Sequence, residues 1–352
     1  MVGQRFLALL EKHPWFTVTT VAASAKSAGR TYKEACANRW VLPVEMPESV
    51  KELVVHDASN VDAVADQVDF VFCAVDMSKD ETRALEDAYA KRETPILSNN
   101  SAHRSTPDVP MMIPEVNPHH AELVVAQRRR LGTKRGFVAV KPNCSLQSYV
   151  PLLHALRDLG PKKAVVATYQ ALSGAGKTHE TYPEMRDNVI PFIGDGARAS
   201  EEEKSEQEPL KIWGTIDGAR IVPAREPVLS AQCYRVPVSD GHMAAVCMQL
   251  EKRASADDIV NRWRDFVGKP QKLGLPSAPK PFITYFDEPS RPQTRLDRDV
   301  ANGMGITVGR LRPDTVLDWK FVGLSHNTVR GAAGGAILTA ELLVSDGYIT
   351  PK

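Results

Sequence analysis

Short apolar runs at residues 16–22, 52–58, 69–75, 94–98 and 136–142 alternate with helical patterns through the N-terminal part of the chain. This rhythm constrains the fold more than any other feature, because strands interleaved with helices imply a parallel sheet with crossover connections. Phe6, Leu9 and Leu10 sit at helical spacing, as do Leu85, Ala88 and Tyr89, and both stripes read as core faces. From about residue 164 the pattern changes to longer strands at 164–171, 231–238 and 244–250, which predicts a second, α+β domain with an antiparallel or mixed sheet. Residues 276–295 hold Pro276, Pro279, Pro281, Pro289 and Pro292 and read as an ordered surface loop without chemistry. Near the end, VRGAAGGAILTAELL predicts a helix whose small residues pack closely against a neighbour.

At 352 residues, 43% apolar and 25% charged, the chain can bury a core in about two domains. Lys plus Arg number 44 against 43 Asp plus Glu, so no overall charge favours nucleic acid or an anionic membrane. The basic run 128–130 and the acidic run 201–208 read as solvated surface. No apolar run approaches the roughly 20 residues of a membrane span, and the start lacks a signal-peptide pattern, so a cytoplasmic protein is expected. Five scattered cysteines read as free thiols, arguing against a disulfide framework or a close-spaced zinc site. No metal is expected.

In KPNCSLQSYVPLLHAL, Cys144 follows a strand and opens a helical pattern, where the positive end of the helix dipole should lower its pKa. CYRVPVSDGHM supplies His242 as a base, with Arg235 seven residues earlier. Strand alternation alone sets the two on opposite faces, whereas the intervening SDG turn can re-aim the histidine. A loop histidine and a surface arginine fit the same letters.

PNCS, QALSGAG, RVPVSDGH and SHNTVRGAAGGA occur in an order that resembles aspartate-semialdehyde dehydrogenases, above all those of fungi and yeasts. The resemblance runs from residue 2 almost to the C-terminus. It implies a Rossmann-type NADP-binding domain at 1–143 and 329–352, completed by the C-terminal helix, and a catalytic and dimerisation domain at 144–328. It implies that Cys144 attacks the aldehyde as thiolate, that His242 accepts the proton, and that hydride loss leaves a thioester which inorganic phosphate cleaves. Gln170 and Asn143 would orient the acyl group and bond its oxygen. Arg235 would hold the α-carboxylate as a bidentate fork, Glu208 would pair with the amino group, and Lys211 and Arg104 would bind phosphate. The implied assembly is a homodimer or homotetramer.

Cofactor choice is read just after the second strand of such a unit, where ASAKSAG offers Ser24, Lys26 and Ser27 and no carboxylate, favouring NADP over NAD. By the same resemblance Ser173, Gly174 and Asn327 would lie beside the nicotinamide; a helix cap suits Asn327 equally. Against the family pattern the chain opens at MVGQRF, so the first strand and most of the glycine-rich phosphate loop are expected to be missing, with Gly3 alone remaining. Leu146 and the pair Met243 and Ala244 are smaller departures. Two other readings stay open: a reductase of another acyl phosphate or acyl-CoA, or a non-catalytic homologue retained for its dimerising domain.

Overall fold

The computed structural model describes residues 1–194 and 200–352. Its N-terminal part holds two parallel sheets. Strands β1 (Val21–Ala23) and β2 (Val55–Asp57) pair with each other, while β3 (Val71–Cys73), β4 (Ile96–Ser98) and β5 (Val138–Val140) form a second sheet in that order. Four of the five strands fall inside the expected apolar runs and are shorter than them, while β1 straddles the end of the first run, with Ala23 beyond it. Of the first run only Val21 and Ala22 are paired, because Phe16 turns its ring into an aromatic cluster with Phe70, 5.1 Å between centroids. Helix α1 (Val2–Leu10) joins that cluster through Phe6, stacked 4.6 Å from Phe72.

Helix α2 (Lys79–Lys91) opens on a capping box, Ser78 with Glu81, and buries Tyr89 and Ala90 on the sheet. Helix α3 (Leu123–Leu131) ends at left-handed Gly132, and its basic last turn is not simply solvated. Arg128 donates to the carbonyls of Arg135 and Tyr348, and Arg130 pairs with Asp108, so two of the three arginines anchor neighbouring segments.

The second part is built on β6 (Pro161–Gln170), a hairpin of β7 (Thr215–Asp217) and β8 (Arg220–Val222), then β9 (Val228–Arg235), β10 (His242–Leu250), β11 (Ile283–Phe286), β12 (Ile306–Pro313) and β13 (Trp319–Ser325). Apart from the hairpin these strands form one six-stranded sheet, ordered β11-β12-β13-β10-β6-β9. It is mixed: β6 with β9 and β11 with β12 run parallel, and the other neighbours antiparallel. The proline-rich segment is therefore more than a loop. Its prolines flank the four residues of β11, which adds at the sheet edge and buries Phe282 and Ile283.

One face of this sheet carries Ala164, Val166, Ala244, Val246, Met248 and Phe321 into the main core, together with Leu152 and Trp263. Helix α4 (Glu201–Ile212), capped by Ser200, precedes α5 (Ala256–Asp265) in the chain and packs along β9. The opposite face leaves Val165, Tyr169 and Val228 exposed. A π-helical turn, Val329–Ala333, leads into α6 (Gly334–Ser345), which packs on α1 and β4 and is buried through Leu343. Among the described residues no helix is long and apolar enough to cross a membrane.

Candidate active site

The chain leaves β5, passes Lys141 and Pro142, and turns into a short 3-10 helix, Cys144–Ser148. Asn143 caps that turn, its Oδ1 accepting from Ser145 N at 2.9 Å and from Ser145 Oγ at 2.7 Å. The expected depression of the Cys144 pKa is not found. Burial, then the Glu201 carboxylate, push the thiol up to about 11 against the pull of Lys141, Arg235 and Arg104. A single 3-10 turn carries too few aligned peptides to offset that desolvation.

Arg235 ends β9 and His242 begins β10, so the six-residue connection between them, with Gly241 at φ +98°, removes the problem of opposite strand faces. The two converge on Gly174. A Cβ there would lie 2.7 Å from Arg235 Nη1 and 2.9 Å from His242 Nε2, so glycine leaves both side chains their room. Arg235 donates from Nη1 to the Ala171 carbonyl at 2.6 Å. Among the described residues it has no carboxylate partner, leaving a buried guanidinium available to a ligand.

His242 is buried, and burial together with the Arg235 charge holds its pKa well below the usual histidine value. Its Nδ1 accepts from Ala171 N at 3.0 Å, while Nε2 has no protein partner. The Gly241 carbonyl also lies by the ring, but an amide N–H can only donate, so the Ala171 bond decides the tautomer. The neutral ring then carries its hydrogen on Nε2. In the resting site His242 therefore presents Nε2–H, with no protein partner on that nitrogen among the described residues.

The acidic run is not a solvated strip. Glu201 Oε2 accepts from Asn143 Nδ2 at 2.7 Å and from Gln170 Nε2 at 3.4 Å, and Oε1 accepts from Lys204 Nζ at 2.8 Å. Burial works to raise the Glu201 pKa, but Lys204, Asn143 and Arg104 together hold it below the usual value, so the carboxylate stays charged. The anion among the expected acyl ligands is thus Glu201.

Glu208 is spent on the protein itself, Oε1 accepting from Arg104 Nη1 at 3.0 Å and Oε2 from Asn143 N at 2.6 Å. Lys211 donates to the carbonyls of Arg104 and Thr106 at 2.7 and 2.8 Å. Both expectations of direct substrate contact are corrected, for the same reason: seven residues are two helical turns, about 10 Å of rise, which sets Glu208 and Lys211 past the cleft. Arg104 stays near Cys144, held through Nε to the Lys141 carbonyl at 2.9 Å. The E-x-x-K spacing occurs at both 201–204 and 208–211, so the sequence contained the signal for Glu201 and Lys204 but also a decoy.

Asn327 Oδ1 accepts from Gly241 N and its Nδ2 donates to Ser173 Oγ, both at 2.8 Å. It clasps the two turns that carry Gly174 and His242, with one amide hydrogen left over. In the turn after β1, Ser24 and Lys26 are exposed, Arg30 is pinned beside them through the Lys26 carbonyl, and residues 24–30 include no carboxylate. A 2′-phosphate fits that set. Ser27 is buried beneath the turn and is not available as a ligand. Gly3 lies in the first turn of α1 with open space around its Cα, as close approach of a phosphate to the helix N-terminus requires.

A thiol, a donor histidine and an uncompensated arginine at the seam between a parallel α/β part and a mixed sheet make a thiol-dependent dehydrogenase that uses a nucleotide. Two family models match, "Semialdehyde dehydrogenase, NAD binding domain" over residues 1–124 and "Semialdehyde dehydrogenase, dimerisation domain" over 151–330. An aspartate-semialdehyde dehydrogenase of Methanothermobacter thermautotrophicus is 45% identical over 97% of this chain and 96% of its own, and one of Aspergillus fumigatus is 41% identical over 99% and 95%. A crystal structure of the Candida albicans enzyme with NADP superposes with a TM-score of 0.86 at 35% identity, covering 99% of this chain and 96% of that one. The chain belongs to the aspartate-semialdehyde dehydrogenase family. The expectation of a missing first strand and phosphate loop finds no support in these matches.

Proposed function

We propose that this protein interconverts L-aspartate 4-semialdehyde and L-aspartyl 4-phosphate, with NADP and inorganic phosphate, in the route to lysine, threonine and methionine. The observation that carries the reading is a half-buried thiol flanked by a buried, uncompensated guanidinium and a largely buried carboxylate. Those are the counter-charges of a substrate bearing both α-carboxylate and α-ammonium. Arg235 takes the carboxylate as a bidentate fork, and Glu201 takes the ammonium. Asn143 and Gln170, held by Glu201, fix the acyl chain over Cys144.

The Cys144 sulfur adds to the aldehyde carbon, and His242 Nε2–H bonds the oxygen that gains charge. Bound NADP supplies the hydride acceptor. Cys144 is left as a thioester, and Arg104 with Lys204 holds the phosphate that cleaves it. Ser24 and Lys26 select the 2′-phosphate, Gly3 admits the pyrophosphate, and Ser173, Gly174 and Asn327 shape the nicotinamide side. We assign residues 1–143 and 329–352 to cofactor binding and 144–328 to catalysis and dimerisation. The open face of the six-stranded sheet, with Val165, Tyr169 and Val228, suits a homodimer or a homotetramer. Five unpaired thiols suit the cytoplasm.

Against a reductase of an N-acylated substrate stands Glu201, which would face an amide with no charge to neutralise. The test is phosphate-dependent reduction of NADP with aspartate semialdehyde, run on the full chain and on Cys144→Ala. Activity in the first and background rates in the second are expected; a Cys144→Ala protein as active as the parent would sink the reading.

A further inference from the structure

Cys144 begins a single 3-10 turn, and the scheme above supports that turn only at its cap, where Asn143 reaches Glu201. A second support lies behind it. Side chains three residues apart eclipse in a 3-10 helix, so Gln147 stands in line with Cys144. Gln147 is buried, and its Oε1 accepts from Arg330 Nε at 3.0 Å. Arg330 belongs to the π-helical turn that opens α6, and that turn backs directly onto the nucleophile: at Gly331 a Cβ would lie 2.9 Å from Cys144 Cβ.

The guanidinium is itself fixed. It meets Glu115 as a bidentate fork, Nη1 to Oε1 at 2.8 Å and Nη2 to Oε2, with the two side chains 1% and 0% exposed. Gln271 Nε2 donates to the same carboxylate at 3.2 Å, and Arg330 Cζ lies 4.8 Å from the centre of the Phe282 ring. Gly268 leaves room for Glu115, since a Cβ there would lie 2.8 Å from the Glu115 Cβ. A buried ion pair adds little net stability, because desolvating both charges offsets most of their attraction. What this pair supplies is direction. The planar fork cannot turn while Glu115 holds two of its N–H groups, so Nε–H points along one line, at Gln147.

We propose that Arg330, oriented by Glu115, is a positioning residue for Cys144. Its bond to Gln147 sets the rotation of the 3-10 turn and so aims the sulfur at the carbonyl carbon of the bound substrate. Its role is to aim, not to bind substrate or to carry a proton. An error of about 1 Å in such an approach can lower a rate about a hundred-fold. This assignment rests on Cys144 as the nucleophile.

The test is a cycle of variants read by kcat, KM and iodoacetamide labelling of Cys144. Gln147→Met removes the acceptor and leaves the ion pair whole. It should lower kcat about thirty-fold while KM for aspartate semialdehyde and for NADP stays within about two-fold, because aim matters only as the transition state forms. Its labelling rate should stay within about two-fold of the parent, since a small free reagent samples the thiolate rather than its aim. Arg330→Met combined with Glu115→Met replaces the pair by apolar chains of similar length and should fold. Adding Gln147→Met to that variant should lower kcat by less than about two-fold more, because the bond it removes is already gone. The proposal is overturned by a parental kcat in Gln147→Met, by losses that multiply across the cycle, by a rise in KM in place of the fall in kcat, or by Gln147→Met labelling that slows in step with turnover. Should the paired methionine variant unfold, Arg330→Lys takes its place in the cycle: it keeps a charge beside Glu115 but lacks the fork that aims a second donor at Gln147. Each of these outcomes leaves the comparison with Cys144→Ala untouched, so the nucleophile and its support are tested separately.

Discussion

Helix α4 carries the same four-residue pattern twice, Glu201 with Lys204 and Glu208 with Lys211, seven residues apart and therefore on one face. The two copies do different work. Glu201 gathers Asn143 and Gln170 at the edge of the cleft, whereas Glu208 and Lys211 bind Arg104, the Asn143 amide and two carbonyls, fastening the helix to the loops that carry Arg104 and Cys144. Local spacing sets which side of a helix a residue takes; what lies opposite sets its role. The substitutions below separate the copies.

Glu201→Gln should have the largest effect. It removes the one carboxylate that bonds the Asn143 and Gln170 side chains among the described residues, so kcat/KM for aspartate semialdehyde should drop about a hundred-fold or more. The same change should speed iodoacetamide labelling of Cys144, because Glu201 is the strongest charge raising that thiol's pKa. Opposite signs in the two assays are the signature; a parallel loss would point to a merely structural residue.

Glu208→Gln should reverse that pattern. Arg104 and Glu208 side chains are only 13% and 10% exposed, so removing the carboxylate leaves a mostly buried guanidinium uncompensated. A loss of about 3 kcal/mol in unfolding free energy is expected by denaturant titration. Turnover should fall less than ten-fold, through slackening of Arg104 and Asn143. A hundred-fold loss without destabilisation would reinstate Glu208 as the substrate's counter-charge.

Gly174→Ala probes the other wall of the cleft. Its Cβ would press on His242 and Arg235 together, so KM should rise and kcat fall, by about ten-fold in their ratio, with little change in stability since the turn lies at the surface of the site. An unaltered KM would mean that Arg235 can retreat without cost.

These contrasts also mark how far the sequence could be read. The parallel and mixed sheets were legible because apolar runs keep their period whatever packs on them, and Cys144, His242 and Arg235 were legible because each lies in a distinctive motif. Glu201 was hidden by its duplicate. The donor state of His242 was hidden because it depends on Ala171 N–H, 71 positions away in the chain. Arg330 stands in plain view in the last motif, yet nothing local reveals that its guanidinium reaches Gln147, 183 positions away. Long-range partners, rather than residue types, separate the legible part from the rest.

The smallest expected effect concerns Lys211 and has a definite sign. Burial lowers its pKa to about 8 from the ordinary 10.5, against the pull of Glu208 and Asp108. In the unfolded chain the amine keeps its proton up to the ordinary value, so between about pH 8 and 10.5 the unfolded state binds more protons than the folded one. The penalty for burying the charge is complete below pH 8 and is relieved as pH rises through that window. Lys211 should therefore add a rising slope to unfolding free energy on the alkaline side, worth about 1–2 kcal/mol after allowing for its two carbonyl bonds. Lys211→Met should flatten that slope while leaving kcat/KM within about three-fold. Lys204→Met should do the reverse, costing phosphate affinity without touching the slope, and equal effects from the two lysines would erase the distinction between the copies.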